Sequence, residues 1–225
     1  MTALRRPGGP LFAVVCLALV TPACSAGGDT SAKKIGAAST TTTVPGPPRT
    51  VGGKADGYSI QIPAAWKDIA IDPATLQRVL VEDKSSGKLD EAIKNQIRSL
   101  ASTGGKLLAY DDTHRTTNIN VLKVPAQPGQ TTATLAASLP NQLAQLKPPM
   151  RDIKVETVKL GSGPAVRATG TQAVPVAKGA TANLFQIHYY VVSGQDTYIC
   201  ILATDDPVRD QSKLETIGQT FTLVH

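Results

Sequence analysis

The strongest constraint on the fold lies near the C-terminus, where two apolar stretches, Asn183 to Val192 and Thr197 to Thr204, are separated only by Ser193-Gly194-Gln195-Asp196. So short a connection joins antiparallel neighbours, because parallel strands need a crossover of a dozen residues or more. Around Tyr198-Ile199-Cys200-Ile201-Leu202 the sequence is apolar on both sides of the strand alternation. A strand of that kind is buried on both faces, so something must cover each side of this hairpin.

The rest of the chain offers candidates for that cover. Asp152 to Leu160 and Pro164 to Val174 flank Gly161-Ser162-Gly163 and read as a second strand pair. Tyr58, Ile60 and Ile62 alternate with polar residues before Pro63, and further strands are expected over Lys106 to Tyr110 and Asn118 to Val124. Between these groups the apolar period becomes that of a helix. Leu89, Ile93, Ile97 and Leu100 share one face from about Lys88 to Thr103, with Asp90 and Glu91 in the first turn and Gly104-Gly105 closing it. Asp72-Pro73 reads as a cap and first helical residue for a short helix to about Leu80. Leu135, Leu139, Leu143 and Leu146 mark another helix, in which Pro140 predicts a kink or a second start. Asp206-Pro207 caps a last one carrying Val208, Leu214, Ile217 and Phe221. Hairpin-linked strands with helices between the groups predict an α+β fold, a mostly antiparallel sheet flanked by helices.

The N-terminus concerns address rather than fold. Arg5 and Arg6, the apolar run Leu11 to Val20 and then Thr21-Pro22-Ala23-Cys24 form an export signal, since a run of roughly 10 residues is too short to span a bilayer. Cys24 resembles the acylated cysteine of a bacterial lipobox, although Thr21 stands where such motifs carry Leu or Val; plain cleavage after Ala23 or Ala26 is the alternative. Residues 1–23 are thus read as a signal peptide, 24–54 as a lipidated disordered Ser/Thr/Pro-rich tether, and 55–225 as one domain. A flexible coil of about 30 residues spans roughly 30 Å, enough to hold a domain clear of lipid headgroups. Loss of the leader leaves 21 Lys and Arg against 17 Asp and Glu, scattered rather than massed, with few aromatics. That distribution gives nucleic-acid binding little support. Cys16 leaves with the leader and Cys24 is the lipid acceptor, so Cys200 is an unpaired, buried thiol.

The stretch Tyr58-Ser59-Ile60-Gln61-Ile62-Pro63-Ala64-Ala65-Trp66 resembles the opening of PsbP/Mog/DcrB-like domains, and the closing hairpin, Asp-Pro and helix ending at Phe221 are similar too. With the leader and Thr/Pro tether, the whole resembles the LpqN/LpqT type of actinobacterial lipoprotein. The resemblance implies an αβα sandwich that docks other proteins or, in envelope members, binds partners and lipidic ligands. It implies no shared catalytic residue, and it makes Trp66 a packing anchor.

Chemistry-bearing motifs are absent or explained more simply. Gly161-Ser162-Gly163-Pro164 lacks the nucleophile-elbow spacing, and no glycine-rich stretch forms a phosphate loop. Asp111-Asp112-Thr113-His114 is the densest ligand cluster, but four adjacent loop residues rarely close a coordination sphere, and a solvated turn explains them. No catalytic residue, metal or cofactor is expected. One candidate binding face emerges: Gln186, His188 and Tyr190 alternate with Phe185, Ile187, Tyr189 and Val191, and such a polar-aromatic row suits a sugar or peptide. A helix edge covering the sheet would produce the same row. The expectation is therefore an extracytoplasmic lipoprotein, held to the cell membrane by its N-terminal lipid or else secreted, whose domain binds an envelope protein, lipid or glycan without catalysis. The alternative is a lipid or glycolipid carrier, which needs an apolar cavity of about 300 Å³ or more.

Overall fold

The structure, a computed structural model, describes residues 46–77, 91–175 and 181–224. The leader, Cys24, the tether up to residue 45, the start of the helix expected from Lys88 and the end of the one expected to reach Leu80 lie outside the described residues. The strands are β1 (Arg49–Gly53), β2 (Tyr58–Ile62), β3 (Lys67–Ala70), β4 (Gly105–Tyr110), β5 (Asn118–Pro125), β6 (Met150–Leu160), β7 (Gly163–Pro175), β8 (Thr181–Ser193), β9 (Asp196–Thr204) and β10 (Thr222–Leu223). The helices are α1 (Glu91–Ser102), α2 (Thr132–Ala144) and α3 (Pro207–Gln219).

Seven strands form one sheet in the order β3-β4-β5-β9-β8-β7-β6, antiparallel at every step, and β1-β2-β10 form a small second sheet. The hairpin β8–β9 sits in the interior of the large sheet, as its two-sided apolar sequence requires. One face of it, with Tyr189, Val191, Cys200 and Leu202, packs against Tyr58, Ile60 and Ile62 of the small sheet, Trp66, and Leu214 and Ile217 of α3. On the other face Tyr190, Ile199 and Ile201 share a core with Ile93 and Ile97 of α1 and with Leu135, Leu139 and Leu143 of α2. The protein is an α+β sandwich with helices against both faces of a mostly antiparallel sheet, as expected.

Three local expectations need adjustment, and one strand of the large sheet was not expected. The tether was expected to run to Lys54, but Arg49–Gly53 pair with β2, and the Arg49 guanidinium donates to the Trp66 carbonyl at 2.8 Å and pairs with Asp68. Gly52 makes that pairing possible: at φ 81°, a Cβ there would lie 2.5 Å from the Tyr58 carbonyl oxygen. Strand β3 was not foreseen because it is a short edge strand in which only Ile69 is even half-buried, so it carries no alternation to read. Of the two outcomes expected at Pro140, the second start does not occur, because α2 is continuous through it and the proline faces solvent, where the carbonyl it leaves unpaired can be hydrated. Val208 does not join the core: at the start of α3 it is 99% exposed, while Leu214, Ile217 and Phe221 are buried.

The short helix begins as its sequence predicts, with the Thr75 amide donating to Asp72 Oδ1 at 2.9 Å. Helix α3 is seated just as tightly. Its Gly218 lies against the Tyr189 ring so closely that a Cβ would stand 2.2 Å from Cε2 and 2.9 Å from Cζ. The substitution Gly218→Ala is therefore expected to destabilise the domain by about 1–3 kcal/mol, through overpacking between α3 and β8. Urea unfolding should show a lower midpoint at unchanged slope.

Candidate functional site

Helix α2 does not close completely onto the sheet. Its start is fixed by a reciprocal cap, in which the Thr134 amide donates to Thr131 Oγ1 at 3.1 Å and the Thr131 amide to Thr134 Oγ1 at 2.9 Å. The preceding turn is held by the Gln127 amide donating to Gln130 Oε1 at 2.7 Å, with Gly129 at φ 73°. Leu135, Leu139 and Leu143 then point at the sheet, and between them and Val124, Tyr190 and Ile199 a half-open cleft of about 330 Å³ remains. Thr134, Ser138 and Gln142 form one rim. No Asp, Glu, Lys, Arg or His lines the cleft. On its floor the Thr197 hydroxyl is buried and has no hydrogen-bond partner among the described residues. An unpaired buried hydroxyl is costly, and a ligand group could satisfy it.

The expected recognition row is not a surface. Gln186, His188 and Tyr190 are 2%, 0% and 3% exposed, and of the three only Tyr190 reaches the cleft. They form a buried chain whose polarity chemistry fixes. The Pro148 carbonyl can only accept, so Gln172 donates Nε2–H to it at 2.6 Å. Gln172 Oε1 then accepts from Gln186 Nε2 at 3.1 Å. Gln186 Oε1, in turn, accepts from His188 Nε2–H at 2.8 Å. A neutral imidazole protonated at Nε2 has only a lone pair at Nδ1, so the Tyr190 hydroxyl donates to it at 2.9 Å. Burial lowers the His188 pKa to about 4, which keeps the ring in this neutral form.

No family model matches this chain, and no curated protein matches it. Solved structures with a similar course are distant. Cyanobacterial PsbP (CyanoP) from Synechocystis sp. PCC 6803 is 12% identical, with TM-score 0.46 over 84% of this chain and 98% of that one. LpqN of Mycobacterium tuberculosis, described as involved in cell envelope biogenesis, is 11% identical, with TM-score 0.39 over 81% and 87%. A Bacteroides thetaiotaomicron protein is 12% identical, with TM-score 0.42 over 76% of this chain and 46% of its own.

The other polar clusters are accounted for by their own bonds. Asp210, at the start of α3, accepts from Thr117 Oγ1 at 2.7 Å and Thr204 Oγ1 at 2.9 Å, and the Arg209 guanidinium bonds the same carboxylate. The bond from Arg209 does most to hold this carboxyl well below the usual range, and the two threonines add to it. The group ties α3 to Thr117, just before β5, and to Thr204 at the end of β9. Asp206 caps α3 by accepting from the Arg209 amide at 3.1 Å, as its sequence predicts. In the Asp111–His114 turn, Thr113 bonds Asp111 at 2.6 Å and His114 Nδ1 at 2.9 Å, while Lys67 pairs with Asp112 at 2.7 Å. Cys200 is fully buried, and that burial pushes its thiol pKa up, the opposite of what a nucleophile needs. Trp66 is buried with Lys213 Nζ 4.9 Å from its ring centre, the packing role the resemblance implied.

The cleft was missed in the sequence, although one signal for it was present. Thr134, Ser138 and Gln142 repeat every four residues beside the leucines at 135, 139 and 143, a polar rim running along an apolar wall.

The buried histidine has a consequence for pH. Below about pH 6.5 the unfolded chain takes up a proton that the folded chain refuses until about pH 4. The His188 contribution to stability is thus complete above pH 6.5, falls on acidification and levels off near pH 4, for a loss of about 3 kcal/mol, while the depressed Asp210 carboxyl adds a separate loss as pH falls through the usual carboxylate range. Chemical denaturation across that window should show the loss in the parent, and His188→Gln should remove the histidine's share.

Proposed function

We propose that this chain is an exported, lipid-anchored binding module of the cell envelope, of the LpqN/LpqT type, whose working surface is the cleft beneath α2. The observation that carries the reading is that cleft: about 330 Å³, apolar-walled, uncharged, and floored by an unpartnered Thr197 hydroxyl. A preformed pocket of that size, with leucine, valine and isoleucine walls and a neutral polar rim, suits a largely apolar ligand. The charged groups described above are held in caps, ion pairs and the Asp210 joint, and His188 lies in a buried hydrogen-bonded chain, which supports binding without catalysis. The leader and Cys24 support placement outside the cytosol, with the acyl group in the membrane and residues 24–48 as the tether. Among the described residues no helix is long and apolar enough to cross a membrane.

A second reading, a lipid or glycolipid carrier, draws support from the same apolar walls. Vesicle-to-vesicle transfer of a labelled phospholipid separates the two, since a carrier accelerates it and a docking module does not.

Two measurements test the proposal. Purified domain should bind cis-parinaric acid saturably, and Ser138→Trp, which puts a large ring at the rim, should weaken binding about tenfold or more while leaving the urea midpoint near that of the parent. Absence of saturable binding to the parent would remove the cleft from the account. In the native host, Cys24 should be the mature N-terminus and carry a lipid mass, and Cys24→Ala should release the protein to the medium. Retention of an intact leader inside the cell overturns the address.

A further inference from the structure

We propose a second binding site, for a neutral sugar ring, in the polar cleft between α3 and strands β6–β8. It lies on the face of the sheet opposite the α2 cleft and does not depend on that site. Strands β6 and β7 extend past the cover of α3 and leave a half-open space of about 380 Å³. Asp152, Lys154, Thr171 and Gln211 stand around it, and Phe185 is a half-buried aromatic within it.

The backbone beside this space has an unusual course that two positions sustain. The β6–β7 register slips between Arg151 and Lys154. Within the slip, Asp152 adopts φ 52° and is the one non-glycine residue with positive φ among those described. Opposite it stands Gly170, where a Cβ would lie 2.6 Å from the Arg151 carbonyl oxygen and 3.0 Å from Met150 Cγ, so any side chain would push the bulge away. Bulges re-aim side chains, and a non-glycine residue in the left-handed region is held there at a cost that the surrounding structure must offset. Here the strand spends both to set Asp152 and Lys154 beside the cleft.

The chemistry of the walls selects the ligand. Among the lining residues, Asp152 and Glu215 balance Lys154 and Arg167, so no net charge favours an ionic ligand. Arg167 is already held between Glu156 at 2.6 Å and Glu215 at 2.5 Å, and Gln211 donates to Glu215 at 3.2 Å. That wall is rigid before anything binds. What remains is the half-buried aromatic ring of Phe185 beside a carboxylate, an ammonium, a hydroxyl and an amide. A pyranose presents the matching surface, C–H groups on one face and hydroxyls that donate and accept around its edge.

The test is a titration of ¹⁵N-labelled domain with methyl α-glucoside, methyl α-mannoside and methyl β-galactoside, each to about 100 mM, since a single ring binds in the millimolar range. At least one is expected to shift the amides of Asp152 to Lys154, Gly170, Thr171 and Phe185 saturably, with those of Ser138, Leu139 and Gln142 unmoved. Asp152→Gly suits the positive φ and removes only the carboxylate, so it should fold at least as stably as the parent and bind about tenfold more weakly. Phe185→Leu keeps an apolar residue and removes the ring; the same loss is expected. If no glycoside moves the cluster, if the shifts are spread over the whole surface, or if both folded variants bind like the parent, there is no sugar site here. Because parinarate binding reports only on the α2 cleft, failure of one site is distinguishable from failure of the other.

Discussion

Two-sided burial of the β8–β9 hairpin governs this molecule. Ile187, Tyr189, Cys200 and Leu202 on one face and Tyr190, Ile199 and Ile201 on the other are all at most 3% exposed. At about 25 cal/mol per Å² of apolar surface removed from water, neither face can be left to solvent. The elements outside this sheet each cover one of the two: α1, α2 and the short helix that begins at Pro73 on one side, and α3 with the small β1-β2-β10 sheet on the other. The Asp210 joint and the close contact of Gly218 with Tyr189 then fix how α3 lies across its side.

The same constraint accounts for the clefts. Seven strands spaced about 4.8 Å apart make a sheet roughly 29 Å wide, whereas a helix with its side chains covers about 10 Å. On one face α1 and α2 together reach about 20 Å, and the short helix that begins at Pro73 adds its Leu76 to the same core beside them. On the other face stand one helix and a small sheet. The space left between cover and sheet is apolar beneath α2, where leucines face Val124 and Ile199, and polar beyond α3, where the outer strands meet solvent. A wide sheet with few helices thus creates concave surfaces as a by-product of covering its core.

What was legible in the sequence follows the strength of each local signal. The interior strands, the helices with leucine or isoleucine stripes and the Asp-Pro caps could be read because burial on a regular period leaves a pattern. Strands β1, β3 and β10 could not. Arg49–Gly53 is glycine-ended and indistinguishable from linker, Lys67–Ala70 is a sparsely buried edge, and Thr222–Leu223 is two residues long. The row at Gln186, His188 and Tyr190 was read correctly as polar and one-sided, but alternation gives a side chain's face and not what lies over it. The α2 cleft was hidden for a related reason: Leu135, Leu139 and Leu143 give the same stripe whether the facing sheet touches them fully or leaves a gap.

The two clefts differ in how they relate to the rigid centre. Beneath α2, Tyr190 is tied through His188, Gln186 and Gln172 to the Pro148 carbonyl, so a ligand resting on its ring meets a floor that is already hydrogen-bonded to the far end of the sheet. That floor can move only by breaking a buried chain, which makes it preorganised rather than adaptive. Beyond α3, the Arg167 clamp plays the corresponding part, but it is ionic and partly exposed, and so weakens with salt where the histidine chain does not. Since alternate residues of β8 face opposite ways, Phe185 and Tyr190 belong to different surfaces, and a ligand in one cleft touches nothing in the other. Close-packed strands separate the two surfaces.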